Sequence, residues 1–499
     1  METVKRHLWS SKSVFILAAI GSAAGLWNLW KFPFLVYDNG GASFIIAYLV
    51  MLVLVWFWLL VWEIALGQKS RMGASESFWD ISKNFKWLGW AMLIFVFFIL
   101  TYYVVVIWWG MDYLFYSLKS MFGGWALPWA GNGSGFFFED ILGITDGVWT
   151  PGKISMVVAI GTVVSLLLTY AFTWKWAKSV GKVIWFTATI PFVTLIILAI
   201  RAITLPWASD GLWYLVASPT SQLWELATWT AAGGQIFFTL SVSMWVMIAY
   251  GALKREKSEI VKATFLVALG NTIISFISAI VVFGTLGYLA QKSWVDVTEV
   301  VKGWPSLAFA VIPETLALFG SASAFFSVMF FLTIFLLAID SAMSLVEAIA
   351  IPIKDKFRNW KTENITAGIV MLVGLASIIY MQWNGLYILD IVDHYVTQFA
   401  MLTIGMLELI LFIKYRRPLT KFIEQHNNWR STFLNTNYFI ISWVLGVLVL
   451  WFLLFLNLKG WFFEYDTYAK ADLMRYGFYP IIIWFLVAGW INLLENHKK

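Results

Sequence analysis

Apolar runs of about 20 residues recur along the whole chain, each long enough to cross a hydrocarbon layer about 30 Å thick. They fall near residues 13–37, 42–66, 88–118, 154–172, 179–203, 226–252, 260–290, 322–352, 365–382, 388–413, 436–457 and 474–495. In lipid each backbone polar group must be satisfied internally, so a spanning segment is a helix or part of a closed barrel. Runs of this length select helices. Composition agrees: 61% of 499 residues are hydrophobic, 12% are charged, and mean hydropathy is +0.78. A water-soluble fold of that composition would expose too much apolar surface. The expected fold is an all-α polytopic membrane protein of about twelve transmembrane helices, with the lipid bilayer as its partner.

The basic residues set an orientation. Lys5, Arg6 and Lys12 precede the first run, and Lys69, Arg71, Lys83 and Lys86 separate the second from the third. Lys175, Lys178 and Lys182 follow the fourth, Lys254, Arg255 and Lys257 the sixth, and Lys354, Lys356, Arg358 and Lys361 the eighth. Lys414, Arg416, Arg417 and Lys421 follow the tenth, and Lys498 and Lys499 close the chain. Every second connection is basic, so the positive-inside rule places both termini in the cytoplasm and the protein in the plasma membrane. The net charge of +6 then reflects topology and implies no nucleic-acid partner. The basic start runs straight into a full-length span, so no cleavable signal peptide is expected. With no cysteine, disulfides and thiolate chemistry are excluded. His7, His394, His426 and His497 are scattered, and no nucleophile–base or metal-ligand cluster points to an enzyme. The pieces at 119–152 and 291–321 are too small and aromatic to be separate domains, and 415–435 reads as a polar cytoplasmic connection.

Two runs are interrupted. Gly21-Ser22-Ala23-Ala24-Gly25-Leu26-Trp27-Asn28-Leu29-Trp30-Lys31 lies in the first, and Gly233-Gly234-Gln235-Ile236-Phe237-Phe238-Thr239-Leu240-Ser241-Val242-Ser243 in the sixth. Irregular backbone at membrane depth is tolerated only against protein or a water-filled cavity. Small-residue patches also serve close helix packing, and either patch alone fits that role. Breaks at both places match a transporter built from two halves of five helices. Asp340 is a carboxylate inside an apolar run, a costly placement that marks a cavity, a partner or a structural cap.

Five segments in order resemble the neurotransmitter:sodium symporter family. The first-span motif is similar to its G-x-x-x-G-x-x-N-x-W-R-F-P-Y, and Asp38-Asn39-Gly40-Gly41-Ala42-Ser43-Phe44 follows at the family's distance. Gly234-Gln235-Ile236-Phe237-Phe238-Thr239-Leu240-Ser241 resembles the sixth-helix signature. Pro305-Ser306-Leu307-Ala308-Phe309-Ala310-Val311-Ile312-Pro313-Glu314 and Leu337-Ala338-Ile339-Asp340-Ser341 complete the set. The resemblance implies one transporter domain over 1–499. It would hold a five-plus-five inverted repeat (13–203 and 226–413), broken first and sixth helices, and two additional helices over 436–495.

Carried over position by position, the resemblance implies two sodium sites. One would use the Ala23 carbonyl with Asn28, Thr239 and Asn271; the other, the carbonyls of Gly21, Ala24 and Leu337 with Asp340 and Ser341. Tyr48, Gln235, Thr239 and Ser275 resemble the chloride-coordinating set, Ser275 standing where chloride-independent members often carry an acid. Ordinary helix–helix hydrogen bonding is the other reading of these four. The substrate would meet Ala23, Gly25 and the backbone of the first break, with Tyr103, Phe238, Thr239 and Ser241, walled by Ile99, Met244 and Leu345. Those apolar positions read equally well as core. Gly25 lies where amine carriers place an Asp, which favours an amino acid.

Two departures stand out. Trp27 replaces a glycine, so it is expected to shrink the pocket or cover one end of it, or else to pack between helices. Lys31 replaces an Arg and would pair with Asp393 as an outer gate, above an aromatic lid of Tyr103 and Phe238; Arg6 would pair with Asp355 as an inner one, with Trp9 nearby. The implied function is sodium-coupled, chloride-assisted symport of a small neutral amino acid or similar zwitterion by alternating access. The alternative is a non-transporting substrate sensor on the same scaffold.

Overall fold

A computed structural model describes residues 8–497 except 151, 176, 217–219, 256–257, 295–296, 298–305, 427–435, 461 and 463. Lys5, Arg6, His7, Lys257, Pro305, Lys498 and Lys499 therefore lie outside the described residues. The described chain is helical, and its one extended pairing is an isolated bridge between Ile154 and Gln382. Among the described residues, ten helices are long and apolar enough to cross a membrane. An eleventh candidate is the first span, where Lys12–Ala23 and Leu26–Asp38 meet at 64°. The sixth run forms two shorter helices, Leu226–Thr239 and Val246–Ala252, separated by a stretch of turns.

Burial sorts the spans. The third (Lys86–Gly123) and eighth (Ser323–Lys356) are apolar on nearly every face and pack along each other as the centre of the molecule. The fifth (Ala177–Ile203) lies against the eighth and the seventh (Val261–Ser293). Peripheral spans expose apolar stripes, such as Val163 and Leu167, Met371, Leu372 and Leu375, or Leu486 and Leu493. In water these would be a liability; in a bilayer they are the lipid-facing surface. The halves of the first span contact the fifth, seventh and eighth spans, so the break sits inside the bundle.

Two expectations change. The tenth span runs as helix to Gln425, so the connection expected over 415–435 begins later; Leu419 and Ile423 are buried and prolong the packed face. The loops are more ordered than their polarity suggests. Phe136–Ile141, Ala208–Val216 and Leu307–Ala317 are short helices, and Tyr113, Trp129, Phe137 and Phe309 pack together beside the third span.

Candidate functional site

The first break follows from its residues. Ala24 (φ −84°, ψ 81°) leaves helical geometry, and the Gly25 N–H is shared between Asn28 Oδ1 at 3.0 Å and the Ala23 carbonyl at 3.1 Å, so a side chain supplements the backbone at the break. The two glycines are needed for close approach. A Cβ on Gly21 would lie 2.5 Å from Asp340 Oδ2, and one on Gly25 would lie 2.6 Å from Ser341 Oγ and 3.2 Å from the Tyr103 hydroxyl.

The sixth break is built without glycine. Ser241, Ser243 and Trp245 have φ of 52°, 59° and 71°. Such left-handed backbone is strained for side-chain-bearing residues and persists only where the surroundings hold it. Two buried acids do so: Ser243 N–H donates to Glu63 Oε1 at 2.5 Å, and Ser243 Oγ to Glu408 Oε2 at 2.8 Å. The sequence reading passed over Glu63 and Glu408. Their signal was the one that marked Asp340, a carboxylate inside an apolar run.

Between the breaks four oxygens converge. Thr239 Oγ1 stands 3.3 Å from the Ala23 carbonyl, 2.8 Å from Asn28 Oδ1 and 3.0 Å from Asn271 Oδ1. A hydroxyl has one proton, so it satisfies one of these acceptors. The other oxygen–oxygen approaches are repulsive unless a cation lies among them, and the donor set suits a hard cation. Asn28 Nδ2 reaches Asn271 Oδ1 and Ser275 Oγ, each at 2.8 Å, fixing the arrangement. Thus Ala23, Asn28, Thr239 and Asn271 come together as the sequence reading expected.

Asp340 is fully enclosed in the eighth span, beside Thr187 and the Gly21 backbone, and both carboxylate oxygens lack a hydrogen-bond partner. Ser341, one residue on, bonds the Leu337 carbonyl at 3.3 Å. An unpartnered carboxylate in the bundle centre is costly, and a bound cation would remove that cost.

A cluster of hydroxyl and amide groups lies beside Asn271. Tyr48 Oη, Asn271 Nδ2 and Thr272 Oγ1 are buried and unpartnered, and Tyr48 lies beside Thr272, Ser275 and Asn271. Ser275 Oγ and Gln235 Nε2 instead have carbonyl partners, Asn271 O at 3.2 Å and Trp27 O at 3.3 Å. Thr272 was not singled out in the sequence, because a helical Thr ordinarily bonds its own backbone.

Ile99, Tyr103, Met244 and Leu345 are all buried, and the Tyr103 hydroxyl, facing Gly25, has no hydrogen-bond partner. Ser241 Oγ lies 3.4 Å from the Ser22 carbonyl. Phe238 packs on Trp27, ring centroids 4.2 Å apart, and both line a cavity of about 1440 Å³ that also holds Lys31, Asp390 and Asp393. Asp393 accepts from the Tyr102 hydroxyl at 2.6 Å, while the Lys31 ammonium lies 5.1 Å from the Trp27 ring centre. Of the inner pair, Arg6 is outside the described residues; Asp355 accepts from the Gly73 N–H at 2.5 Å. Trp9 is buried against Tyr250 as its ring neighbour.

The sequence pattern of the sodium:neurotransmitter symporter family matches residues 6–134 and 131–494. An uncharacterized sodium-dependent transporter of Methanocaldococcus jannaschii is 34% identical over 421 residues, covering 83% of this chain and 82% of that protein. The creatine transporter of Torpedo marmorata is 31% identical over 429 residues (79% and 69%). The sodium- and chloride-dependent GABA transporter 2 of Homo sapiens is 29% identical over 427 residues (79% and 70%). These relatives are transporters, not enzymes, and this helical, membrane-spanning chain belongs to the sodium:neurotransmitter symporter family.

Proposed function

We propose that this protein couples sodium entering down its gradient to uptake of a small neutral amino acid or similar zwitterion, by alternating access and with chloride assisting. The carrying observation is the Thr239 hydroxyl, which faces three oxygens within 3.3 Å and has one proton to give. A sodium ion among Ala23, Asn28, Thr239 and Asn271 relieves that conflict. A second beside Asp340, with Ser341 and the carbonyls of Gly21, Ala24 and Leu337, supplies the charge the buried carboxylate lacks. Chloride near Tyr48, Asn271 and Ser275, with Gln235 and Thr239 at the edge of the same cluster, would accept from the stranded donors and offset the sodium charge, where low dielectric makes Coulomb terms large.

The substrate reading rests on Gly25 and Tyr103. Ser341 and Tyr103 crowd Gly25, which disfavours the Asp that would pair with a lone amine, and the enclosed Tyr103 hydroxyl beside them is a donor for a carboxylate. The five-plus-five repeat gives the two breaks corresponding places, and both termini lie in the cytoplasm on the charge pattern.

Each sodium crossing about 100 mV contributes about 2.3 kcal/mol before any concentration term. Uptake into proteoliposomes of a solute chosen by a thermal-shift screen of amino acids should therefore require an inward sodium gradient. Equal uptake without the gradient overturns the coupling. Sodium-dependent binding with no uptake would identify the sensor instead.

A further inference from the structure

We propose that Trp27 is the movable outer lid of the central site, a role for which the family's glycine offers no side chain. This goes beyond the reading above, in which Trp27 is one pocket residue among several; it relies on that reading only for where the central site lies.

Gly25 and Trp27, on either side of residue 26, border different neighbours. Gly25 faces Ser341 and Tyr103, so that face of the break belongs to the central site. Trp27, two residues on and already in the short helix Leu26–Leu29, meets the sixth span. Its indole lies against Phe238 of the sixth span at 4.2 Å and 52°, and both rings line the cavity. Ile99, Tyr103 and Leu345 do not line it and are at most 5% exposed. The wide cavity therefore ends at the Trp27–Phe238 pair, and the central site lies behind it.

The pair joins the two broken helices. Trp27 holds the sixth span twice, through its ring on Phe238 and through its carbonyl, which accepts from Gln235 Nε2. One turn later Lys31 places its ammonium 5.1 Å from the indole centre, within range of a cation–π attraction. The indole is 9% exposed and its outer side borders the cavity, so it has space to swing into. Access to the central site requires parting Trp27 from Phe238. The outer closure is thus an aromatic contact backed by a cation.

The test uses the absence of native cysteine. Ile99→Cys puts one thiol a helical turn below Tyr103, behind the rings. Its alkylation by a charged methanethiosulfonate is followed in purified, sodium-loaded protein without substrate, so the readout is independent of transport and of substrate identity. Adding Trp27→Gly should speed the reaction about tenfold or more, the scale of losing a ring pair and its cation. Trp27→Phe, which keeps a ring, should stay within about threefold of the parent. If Trp27→Gly does not fold, Trp27→Leu, which keeps bulk without a ring, is expected to accelerate likewise. An unchanged rate in the Gly or Leu variant, or a Phe variant as fast as Gly, overturns the lid. Loss of sodium coupling with these rates intact would overturn the transport reading alone.

Discussion

The floor of the large cavity and the start of the first span are held by different chemistry. At one end a cavity of about 1440 Å³ opens outward and stops at two touching rings. At the other, the start of the first span is tied to the sixth by several directed bonds. Trp9 N–H donates to the Leu253 carbonyl at 3.0 Å and Trp9 Nε1 to the Tyr250 carbonyl at 3.2 Å. Arg255 reaches the Ser10 carbonyl at 2.7 Å, and Lys12 pairs with Glu259 at 2.6 Å. Ring contacts are tolerant of angle, so an aromatic closure can part in small motions. Directed hydrogen bonds and a buried indole release together. The side that borders the cavity is thus held by ring contacts, and the start of the first span by directed bonds.

The largest expected effect is at the midpoint. Asp340→Ala should abolish sodium-driven uptake while the protein remains folded in the membrane, and should remove any influence of sodium on thiol labelling at the latched end. Sodium dependence unchanged in that variant would take Asp340 out of the ion site and leave the two ends uncoupled through it.

Next is the latch itself. Trp9→Ala removes a fully enclosed indole, a change that costs about 3–5 kcal/mol in packed cores. If Trp9 is released when this end opens, the cost falls on the closed state, and a cysteine reporter near Tyr250 should label more than 100-fold faster, by about the same energies. A large loss of thermal stability with no change in labelling would mean that Trp9 is static core.

Anion replacement should act more mildly on both ends. Exchanging chloride for gluconate at constant sodium is expected to lower uptake several-fold, and Ser275→Glu to blunt that dependence by supplying a fixed negative charge. Equal wild-type activity in both salts would mean that the charge is balanced by other groups.

The smallest effect is at Lys12 and Glu259, whose side chains are 38% and 30% exposed. Exposed pairs contribute about 1 kcal/mol or less, so Lys12→Met should speed labelling at the latched end at most about fivefold, and less in high salt. The hydrogen bond and charge of Lys12 hold the Glu259 carboxyl below its usual range. Its contribution is therefore present above the ordinary carboxylate range and lost as pH falls through the lowered value. Because thiolate labelling itself slows in acid, the readout is the ratio of native to Glu259→Gln rates at each pH, which should rise toward one as Glu259 protonates; a ratio that does not change with pH would remove the pair from the latch.

Much of this was legible beforehand because it is local. A span announces itself by run length, and the first break by glycines that let Asp340 and Ser341 approach. Asp340 stood out because carboxylates in apolar runs are rare. The sixth break was expected over residues 233–243, but residues 233–239 continue the helix and the chain breaks only at 240–245, by means that were hidden. Ser241, Ser243 and Trp245 adopt positive φ without being glycine, and no local rule predicts that. The acids that hold Ser243 lie 180 and 165 residues away along the chain.

Sequence alone determined the helical class, the positions of the spans and of the first break, and the family, because hydrophobic run length and motif order are properties of neighbouring residues. Tertiary structure decided that three acceptors converge on one Thr239 proton, that Glu63 and Glu408 grip the same serine, and that Trp27 packs on Phe238. Each depends on how distant helices are rotated about their axes. That rotation is set by packing of the whole bundle, which no single stretch of the chain encodes.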